Sequence, residues 1–318
     1  MKLLTFIIII LYVASCKPKV LEFYVLYEKD LVPEGIAYSK KRNKFYLTSI
    51  AKSKIIEVDA DSGHQRDFIN ERAFNYSPGA GIQIDDELDI LYAIGGYYMK
   101  PDSTSSLFAF DLDSKLLIKR YDVLNEGDHF LNDLVQDTKG NIYMSDTKSA
   151  SIYLLKSGSN TLELFYKSSE ISFPNGITIS DDNTKLYIAS FTKGIRVLDI
   201  STRKILNEQD SLGISQGIDG LKFYQGNLLA IQNGVKSKSF NFRKLILNSD
   251  GDRIVGYEII SENNKDLELP LTFCMAGNRA VVIANSNLQY LNQETFEFMQ
   301  SDTILNTKLV VYDVENAE

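Results

Sequence analysis

The stretch that decides the fold is residues 173–190, which run Phe-Pro-Asn-Gly-Ile-Thr-Ile-Ser-Asp-Asp-Asn-Thr-Lys-Leu-Tyr-Ile-Ala-Ser. Ile177 and Ile179 alternate with polar residues, as expected of a strand with one buried face. The polar run at 181–183 predicts a turn, and a second apolar run follows it. The stretch therefore predicts two antiparallel strands joined by a tight turn, with Asn175-Gly176 at the start of the first strand.

This arrangement recurs along the whole chain. We call the residue that begins each unit its lead residue, and successive lead residues are 43 to 53 positions apart: Glu34, Gly81, Asn132, Asn175, Asp219 and Thr272. A unit of about four strands that recurs every 40–50 residues is typical of a β-propeller blade. The sequence thus predicts an all-β, six-bladed β-propeller with four-stranded antiparallel blades. A two-sheet sandwich is the alternative, but it does not require regular recurrence.

One apolar strand, at residues 20–27, is left over before the first unit. We expect it to pair with the carboxy-terminal strand in the last blade, which would close the ring and remove open sheet edges. Residues 17–318 then form a single propeller domain.

The first 16 residues predict a signal peptide, since a charged head precedes an apolar core that is short for a membrane span. The core ends in Val13-Ala14-Ser15-Cys16, which resembles a bacterial lipobox. In that case Cys16 carries lipid and is the first mature residue. A plain secretory signal is the alternative. Lys17 favours the outer membrane, so we expect a cell-envelope lipoprotein that faces the periplasm or the cell surface and contacts the membrane only through its anchor.

Charge and cysteine content narrow the possible partners. The formal net charge is −8 and the pI about 5.0, which argues against nucleic acid because phosphate binding requires clustered Lys and Arg. If Cys16 is lipidated, Cys274 remains as the one unmodified cysteine, and its apolar neighbours predict a buried, inert thiol. We expect a monomer that binds a small molecule.

Four lead residues carry polar side chains suited to a metal: Glu34, Asn132, Asn175 and Asp219. The first strand of each propeller blade lines the central channel, so these side chains should converge there. Two carboxylates and two amide oxygens suit Ca²⁺, or failing that Mg²⁺ or Mn²⁺. The alternative is that these Asn-Gly and Asp-Gly pairs are ordinary turns that need no metal.

Several of these motifs resemble those of the family of gluconolactonase, regucalcin (senescence marker protein) and luciferin-regenerating enzyme, which are six-bladed propellers. The matching segments are Pro33-Glu34-Gly35, Asn132-Asp133, Pro174-Asn175-Gly176-Ile177, Leu186-Tyr187-Ile188-Ala189 and Asp219-Gly220-Leu221. The resemblance implies that Glu34, Asn132, Asn175 and Asp219 bind one divalent metal at the channel mouth. It also implies hydrolysis of lactones or related esters. The family's sugar-lactone enzymes commonly have arginine where this chain has Phe130, which indicates a less polar substrate or none.

Two functions follow from these residues. The first is a metal-dependent hydrolase, in which the metal polarises a lactone carbonyl and Asp219 acts as general base or nucleophile. His129 could shuttle protons near the rim, although a loop histidine without a role is the alternative, and Phe130 and Gln232 are candidate substrate contacts. The second is a non-catalytic propeller that binds a small ligand or a partner protein, since a fold does not imply activity.

Overall fold

Antiparallel sheets follow one another around a ring in the computed structural model, which describes residues 20–100, 103–234, 240–299 and 301–315. The innermost strand of each sheet contacts the innermost strands of the sheets before and after it, and the last contacts the first. The predicted six-bladed all-β propeller is therefore confirmed. The predicted signal peptide and Cys16 lie outside the described residues.

The strands are numbered in chain order, and each blade is given from its innermost strand outward. Blade 1 comprises β2 (Pro33–Ser39), β3 (Lys44–Ser49), β4 (Ile55–Asp59) and β5 (Gln65–Ile69), and blade 2 comprises β6 (Gly79–Asp85), β7 (Ile90–Gly96), β8 (Ser105–Asp111) and β9 (Leu117–Asp122). Blade 3 comprises β10 (Leu131–Gln136), β11 (Ile142–Asp146), β12 (Ser151–Leu155) and β13 (Glu163–Lys167).

Blade 4 comprises β14 (Pro174–Ile179), β15 (Lys185–Ser190) and β16 (Gly194–Asp199), and blade 5 comprises β17 (Ile218–Tyr224), β18 (Asn227–Gln232), β19 (Asn241–Leu247) and β20 (Ile254–Glu262). Blade 6 comprises β21 (Phe273–Ala276), β22 (Arg279–Ile283), β23 (Lys308–Asp313) and β1 (Val20–Val25). Short 3₁₀ turns lie at Ala73–Asn75, Ser169–Ile171, Leu288–Tyr290 and Ser301–Thr303.

The ring closes as the sequence predicts. Strand β1 pairs antiparallel with β23, with Tyr24 opposite Leu309. The amino-terminal strand is thus the outermost strand of the blade that the carboxy-terminal part of the chain builds, so the two ends of the propeller are fastened by main-chain hydrogen bonds.

Blade 4 differs from the predicted four-stranded pattern, because it has three strands. Beyond β16 a side chain takes the place of part of the missing strand: Asn207 accepts a hydrogen bond from the Val197 amide and donates one to the Ile195 carbonyl, both 2.8 Å long. A single bridge between Leu198 and Ile205 continues the edge. Blade 4 therefore ends in a covered rather than an open edge.

The core is divided among the blade interfaces. The buried apolar side chains form clusters, and each cluster joins two adjacent blades. Aromatic rings fill these layers, as where the Tyr46 ring packs edge-on against Phe68 and the Tyr76 ring against Phe108. The channel lies inside this ring of packed interfaces. No helix among the described residues has the length and apolar character needed to cross a membrane.

Candidate metal centre

The four predicted ligands occupy the same structural position, a β-bulge near the start of an innermost strand. In β2, Pro33 pairs with Ser49 and Ile36 pairs with Leu47, so Glu34 and Gly35 lie opposite a single residue of β3. The same register shift contains the other three ligands, at Asn132-Asp133, Asn175-Gly176 and Asp219-Gly220. A bulge bends the strand and redirects a side chain, which explains why the functional residues recur at one position.

Two lead residues need correction by one position. The bulge of β6 places Ala80, not Gly81, where Glu34 lies in β2. The glycine of a bulge faces the carbonyl of the lead residue in the next blade, as Gly35 faces Ala80. In blade 6 the lead residue is therefore Leu271, not Thr272, because the Gly220 amide donates a 2.9 Å hydrogen bond to the Leu271 carbonyl. The sequence misled in blade 2 because glycines stand on both sides of Ala80. Blades 2 and 6 thus place apolar residues at the position that holds a polar side chain elsewhere.

The glycines that follow Glu34, Asn175 and Asp219 allow neighbouring blades to approach closely. A Cβ atom at Gly35 would overlap the carbonyl oxygen of Ala80, and one at Gly176 would overlap that of Asp219. These residues have no side chain, so the lead residues of adjacent blades can crowd around a narrow channel.

All four predicted ligands line two connected spaces along the channel axis. One is a small cavity of about 10 Å³, which is room for about one water-sized species. The other is a larger cavity of about 230 Å³, which we call the channel mouth. The structure therefore brings together Glu34, Asn132, Asn175 and Asp219 between the two.

Hydrogen bonds fix the direction of the Asn132 and Asn175 side-chain amides. The Asn132 amide nitrogen donates 3.0 Å to the Thr147 hydroxyl, which itself donates 2.7 Å to the Pro174 carbonyl. Because the Thr147 hydroxyl donates its proton to Pro174, it can only accept from Asn132, so the Asn132 amide nitrogen points to Thr147. The side-chain oxygen of Asn132 then remains available to bind a cation. The Asn175 side chain hydrogen-bonds to Asp219, so these two predicted ligands also hold each other in position.

Hydroxyl groups on the second strands hold the bulges in place. Thr48 accepts a 2.9 Å hydrogen bond from the Gly35 amide and donates 2.6 Å to the Ala80 carbonyl in the next blade. Ser145 repeats this between blades 3 and 4, accepting from the Asp133 amide at 3.2 Å and donating to the Asn175 carbonyl at 2.5 Å. Each hydroxyl links one bulge to the next around the ring.

The channel is electrostatically unfavourable for two carboxylates without a cation. Glu34 and Asp219 keep some exposed surface towards the mouth, yet the surrounding chain desolvates both. Desolvation, reinforced by Asp219 and Asp133, raises the pKa of Glu34 well above its usual range. Desolvation likewise raises the pKa of Asp219 to about 7, although hydrogen bonds from Asn233 and Asn175 oppose the shift. A bound cation would relieve this cost.

Sequence reasoning missed three residues of this site. Asp133 replaces the glycine of the other bulges and accepts a 3.2 Å hydrogen bond from the Ile177 amide. The Lys222 ammonium lies 3.7 Å from Asp133, and Lys222 lines the small cavity. Asn233, just after β18, donates 2.6 Å to Asp219. Asp133 could have been found from the sequence, because it directly follows Asn132, where the other bulges have glycine. Lys222 and Asn233 lie outside the repeated motif.

The other predicted site residues are placed differently. Phe130 lines the mouth, where its ring packs edge-on against Tyr98 at 5.2 Å between centroids. Gln232 is buried in blade 5, and both ends of its amide are hydrogen-bonded, to Gln216 and Asn241. It does not line either cavity.

His129 is buried within blade 3 and is likewise absent from the walls of both cavities. Its Nδ1 lies 2.6 Å from an Asp146 carboxylate oxygen, and its ring packs edge-on against Tyr153. Among the described residues Nε2 has no hydrogen-bond partner. The structure therefore does not bring His129 to the predicted rim. Cys274 is buried as predicted, and burial raises the pKa of its thiol to about 12, which disfavours the reactive thiolate.

The donor set fits a hard divalent cation better than a soft one. The described residues contain no group of three or more His, Cys, Asp or Glu side chains arranged to hold a metal, so this site depends on the amide oxygens of Asn132 and Asn175 beside two carboxylates. Oxygen donors of this mixed kind suit Ca²⁺ or Mg²⁺ rather than Zn²⁺. The small volume of about 10 Å³ and the unfavourable carboxylate pair leave room for a single ion.

Solved structures with the same fold include several propellers. Regucalcin from Agrobacterium tumefaciens, described as a calcium-binding protein, is 16% identical, with a TM-score of 0.60 over 89% of this chain and 91% of that chain. A luciferin-regenerating enzyme is 13% identical, with a TM-score of 0.62 over 92% and 94%. Virginiamycin B lyase from Staphylococcus aureus is 14% identical, with a TM-score of 0.59 over 83% and 81%. At these identities the likeness shows the fold alone.

A search of curated protein sequences gives no significant match. The sequence profile described as the SMP-30/Gluconolactonase/LRE-like region, however, matches residues 32–225. This region runs from just before Glu34 to just after Asp219, and it covers more than half of the chain. The chain therefore belongs to the SMP-30/gluconolactonase/LRE-like family.

Proposed function

We propose that this protein is a divalent-cation-dependent hydrolase of lactones or related esters, with Ca²⁺ as the preferred ion. The observation that carries the proposal is the convergence of Glu34, Asn132, Asn175 and Asp219 at the channel mouth, a cavity of about 230 Å³. Family membership supports the reaction class.

The four lead residues would hold the ion by oxygen atoms alone. A bound divalent cation supplies charge stabilisation at a carbonyl oxygen. The residues themselves provide position: the Thr147 hydroxyl directs the Asn132 oxygen, and Asn233 holds one oxygen of Asp219. Because these hydrogen bonds exist before a substrate arrives, little rearrangement is needed at the moment of reaction.

Asp219 is the residue best placed to act on the substrate. Its carboxylate lines the channel mouth and is oriented by two side-chain amides. It either removes a proton from the attacking water or attacks the carbonyl itself. Single-turnover hydrolysis in H₂¹⁸O separates these routes, because only nucleophilic attack transfers the label into Asp219.

The proposal is tested with purified protein and a panel of lactones, with and without a chelator. Chelation and Asp219→Asn should each remove activity, whereas Asp250→Asn, in an exposed turn between β19 and β20, should leave activity unchanged. Lactone turnover that survives both chelation and Asp219→Asn would contradict the proposal.

A non-catalytic binding propeller is the second candidate, favoured by Phe130 at the position where sugar-lactone relatives commonly carry arginine. Calorimetry with Ca²⁺ followed by a substrate screen distinguishes the two. Tight Ca²⁺ binding without turnover of any lactone or ester would support the binding function.

We also propose that the chain is a lipoprotein anchored through Cys16. Replacement by Cys16→Ala should move the protein from the membrane fraction of expressing cells to the soluble fraction. Equal membrane association of both forms would argue against the anchor.

A further inference from the structure

The walls of the mouth differ in character from its floor. The floor is formed by the four oxygen-bearing lead residues and by Leu271 of blade 6. The rest of the wall is mostly apolar: Ile50, Phe130, Phe173, Phe191 and Leu288. Polar groups in the wall are few. The Thr147 hydroxyl is already used in its bonds to Asn132 and Pro174, and the others belong to Tyr98 and Gln293. No Lys, Arg or His lines this cavity among the described residues.

Phe173 shows that this apolar wall has a conformational cost. Its φ is +50°, in the left-handed region that a bulky side chain rarely adopts, and its side chain is 52% exposed. The counterparts in blades 1, 5 and 6, two residues before each lead position, are also at positive φ: Val32, Gly217 and Leu269. Glycine would adopt this backbone without strain. Positive φ thus belongs to this position of the fold, whereas the half-exposed ring of Phe173 contributes little to the core and is available to contact a ligand in the mouth.

We propose that the substrate carries an apolar alkyl or aryl substituent on an uncharged lactone or ester group. The carbonyl lies at the floor and the substituent lies against Phe130, Phe173 and Phe191. This inference depends on the proposed function and specifies its substrate class. Hydrolysis adds one water across the acyl C–O bond, which breaks to give an alcohol and a carboxylic acid that releases one proton.

The same wall disfavours polyhydroxylated substrates. Each hydroxyl buried without a hydrogen-bond partner weakens binding, and this wall offers few partners. The cavity of about 230 Å³ lies below the roughly 300–1,000 Å³ typical of drug-sized ligands. A small ring with a short substituent therefore fits, and a longer chain would extend into solvent.

The test is a series of γ-lactones with increasing alkyl length, from γ-butyrolactone to γ-octalactone, beside glucono-δ-lactone as the polar comparison. With Ca²⁺ present, kcat/KM should rise about fourfold per methylene, equivalent to about 0.8 kcal/mol, until the wall is filled. Glucono-δ-lactone should be a poor substrate. A flat response to chain length, or a preference for glucono-δ-lactone, would overturn the inference.

The variant Phe173→Gly tests the apolar wall without disturbing the fold. It relieves the positive-φ strain, so the variant should fold, but the ratio of kcat/KM for γ-octalactone over γ-butyrolactone should fall about tenfold. The matched control is Phe74→Gly, because Phe74 is also half-exposed at positive φ but is absent from the mouth. The inference fails if both variants leave the ratio unchanged.

A binding measurement keeps this inference distinct from the proposed hydrolase activity. If no lactone is turned over, alkyl-substituted γ-lactams are titrated calorimetrically into the Ca²⁺-loaded protein. Affinity that rises with alkyl length and falls in Phe173→Gly supports the apolar ligand class while refuting the hydrolase. Affinity that is independent of alkyl length overturns the ligand class as well.

Discussion

The side-chain amide of Asn233 donates to two groups at once, to Asp219 Oδ2 at 2.6 Å and to the Pro270 carbonyl at 2.8 Å. Asn233 therefore joins the predicted catalytic carboxylate of blade 5 to the segment that leads into blade 6. Partners of this kind set the orientation of a ligand group without contacting the ion.

We expect Asn233→Ala to weaken Ca²⁺ binding about 10- to 100-fold, the range typical for loss of a hydrogen bond that orients a metal ligand. Titration calorimetry measures the change. Asn160→Ala is the matched control, since Asn160 is exposed in the β12–β13 connection. Equal affinities for Asn233→Ala and the unaltered protein would show that Asp219 needs no support from Asn233.

The pKa of Asp219 predicts an unusual pH dependence for the metal-free protein. The folded state raises this pKa from 3.8 to about 7, so between these values the folded state binds more protons than the unfolded state. The free energy of unfolding must then fall as the pH rises from about 4 to about 7. Thermal unfolding in chelator should show a loss of stability over this range that is smaller in Asp219→Asn, which cannot titrate.

Calcium provides the control for this pH effect. Because the ion requires the deprotonated carboxylate, Ca²⁺ should remove the loss of stability near neutral pH, and its affinity should fall as the pH drops below about 7. Unfolding curves whose pH dependence is identical in the unaltered protein and in Asp219→Asn would contradict the assignment.

Lys222 places a positive charge beside the channel carboxylates. Its ammonium lies 3.7 Å from Asp133, and its charge opposes the raised pKa of Glu34. We expect Lys222→Met to destabilise the metal-free protein more than the Ca²⁺-loaded protein, so the increase in Tm on adding Ca²⁺ should become larger. Lys244→Met is the control, because the partly exposed Lys244–Glu258 pair should contribute little. An unchanged Ca²⁺-dependent Tm shift in Lys222→Met would contradict this role.

Periodicity predicts most of this fold because each blade repeats one physical pattern. The positions of Glu34, Asn132, Asn175 and Asp219 follow from that repeat, as does the pairing of β1 with β23. The missing strand of blade 4 does not follow from it. There the side chain of Asn207 provides two of the hydrogen bonds that a fourth strand would make, and a single asparagine carries no periodic signal.

Of the site residues, the sequence predicts only those at the repeated lead position of a blade. Lys222 lies three residues beyond Asp219, on the strand that enters the channel, and nothing in a single sequence distinguishes it from a solvent-exposed lysine. His129 shows the opposite error, because its rarity drew attention to it while the fold buries it against Asp146. Side-chain direction at a bulge depends on register, which also explains the one-residue error at Ala80 and Leu271.

The glycine after Asn175 should be the most sensitive position of blade 4. A Cβ at Gly176 would overlap the Asp219 carbonyl and lie 3.0 Å from Leu221, so Gly176→Ala must push β14 away from β17. We expect destabilisation of about 1–3 kcal/mol, as for other overpacked sites, together with weaker Ca²⁺ binding because both strands carry a ligand. Gly256→Ala is the control, since its Cβ would meet atoms only at 3.5 Å or beyond. Denaturant unfolding and calorimetry measure the two effects, and a Gly176→Ala protein as stable as Gly256→Ala would show that blades 4 and 5 can separate without cost.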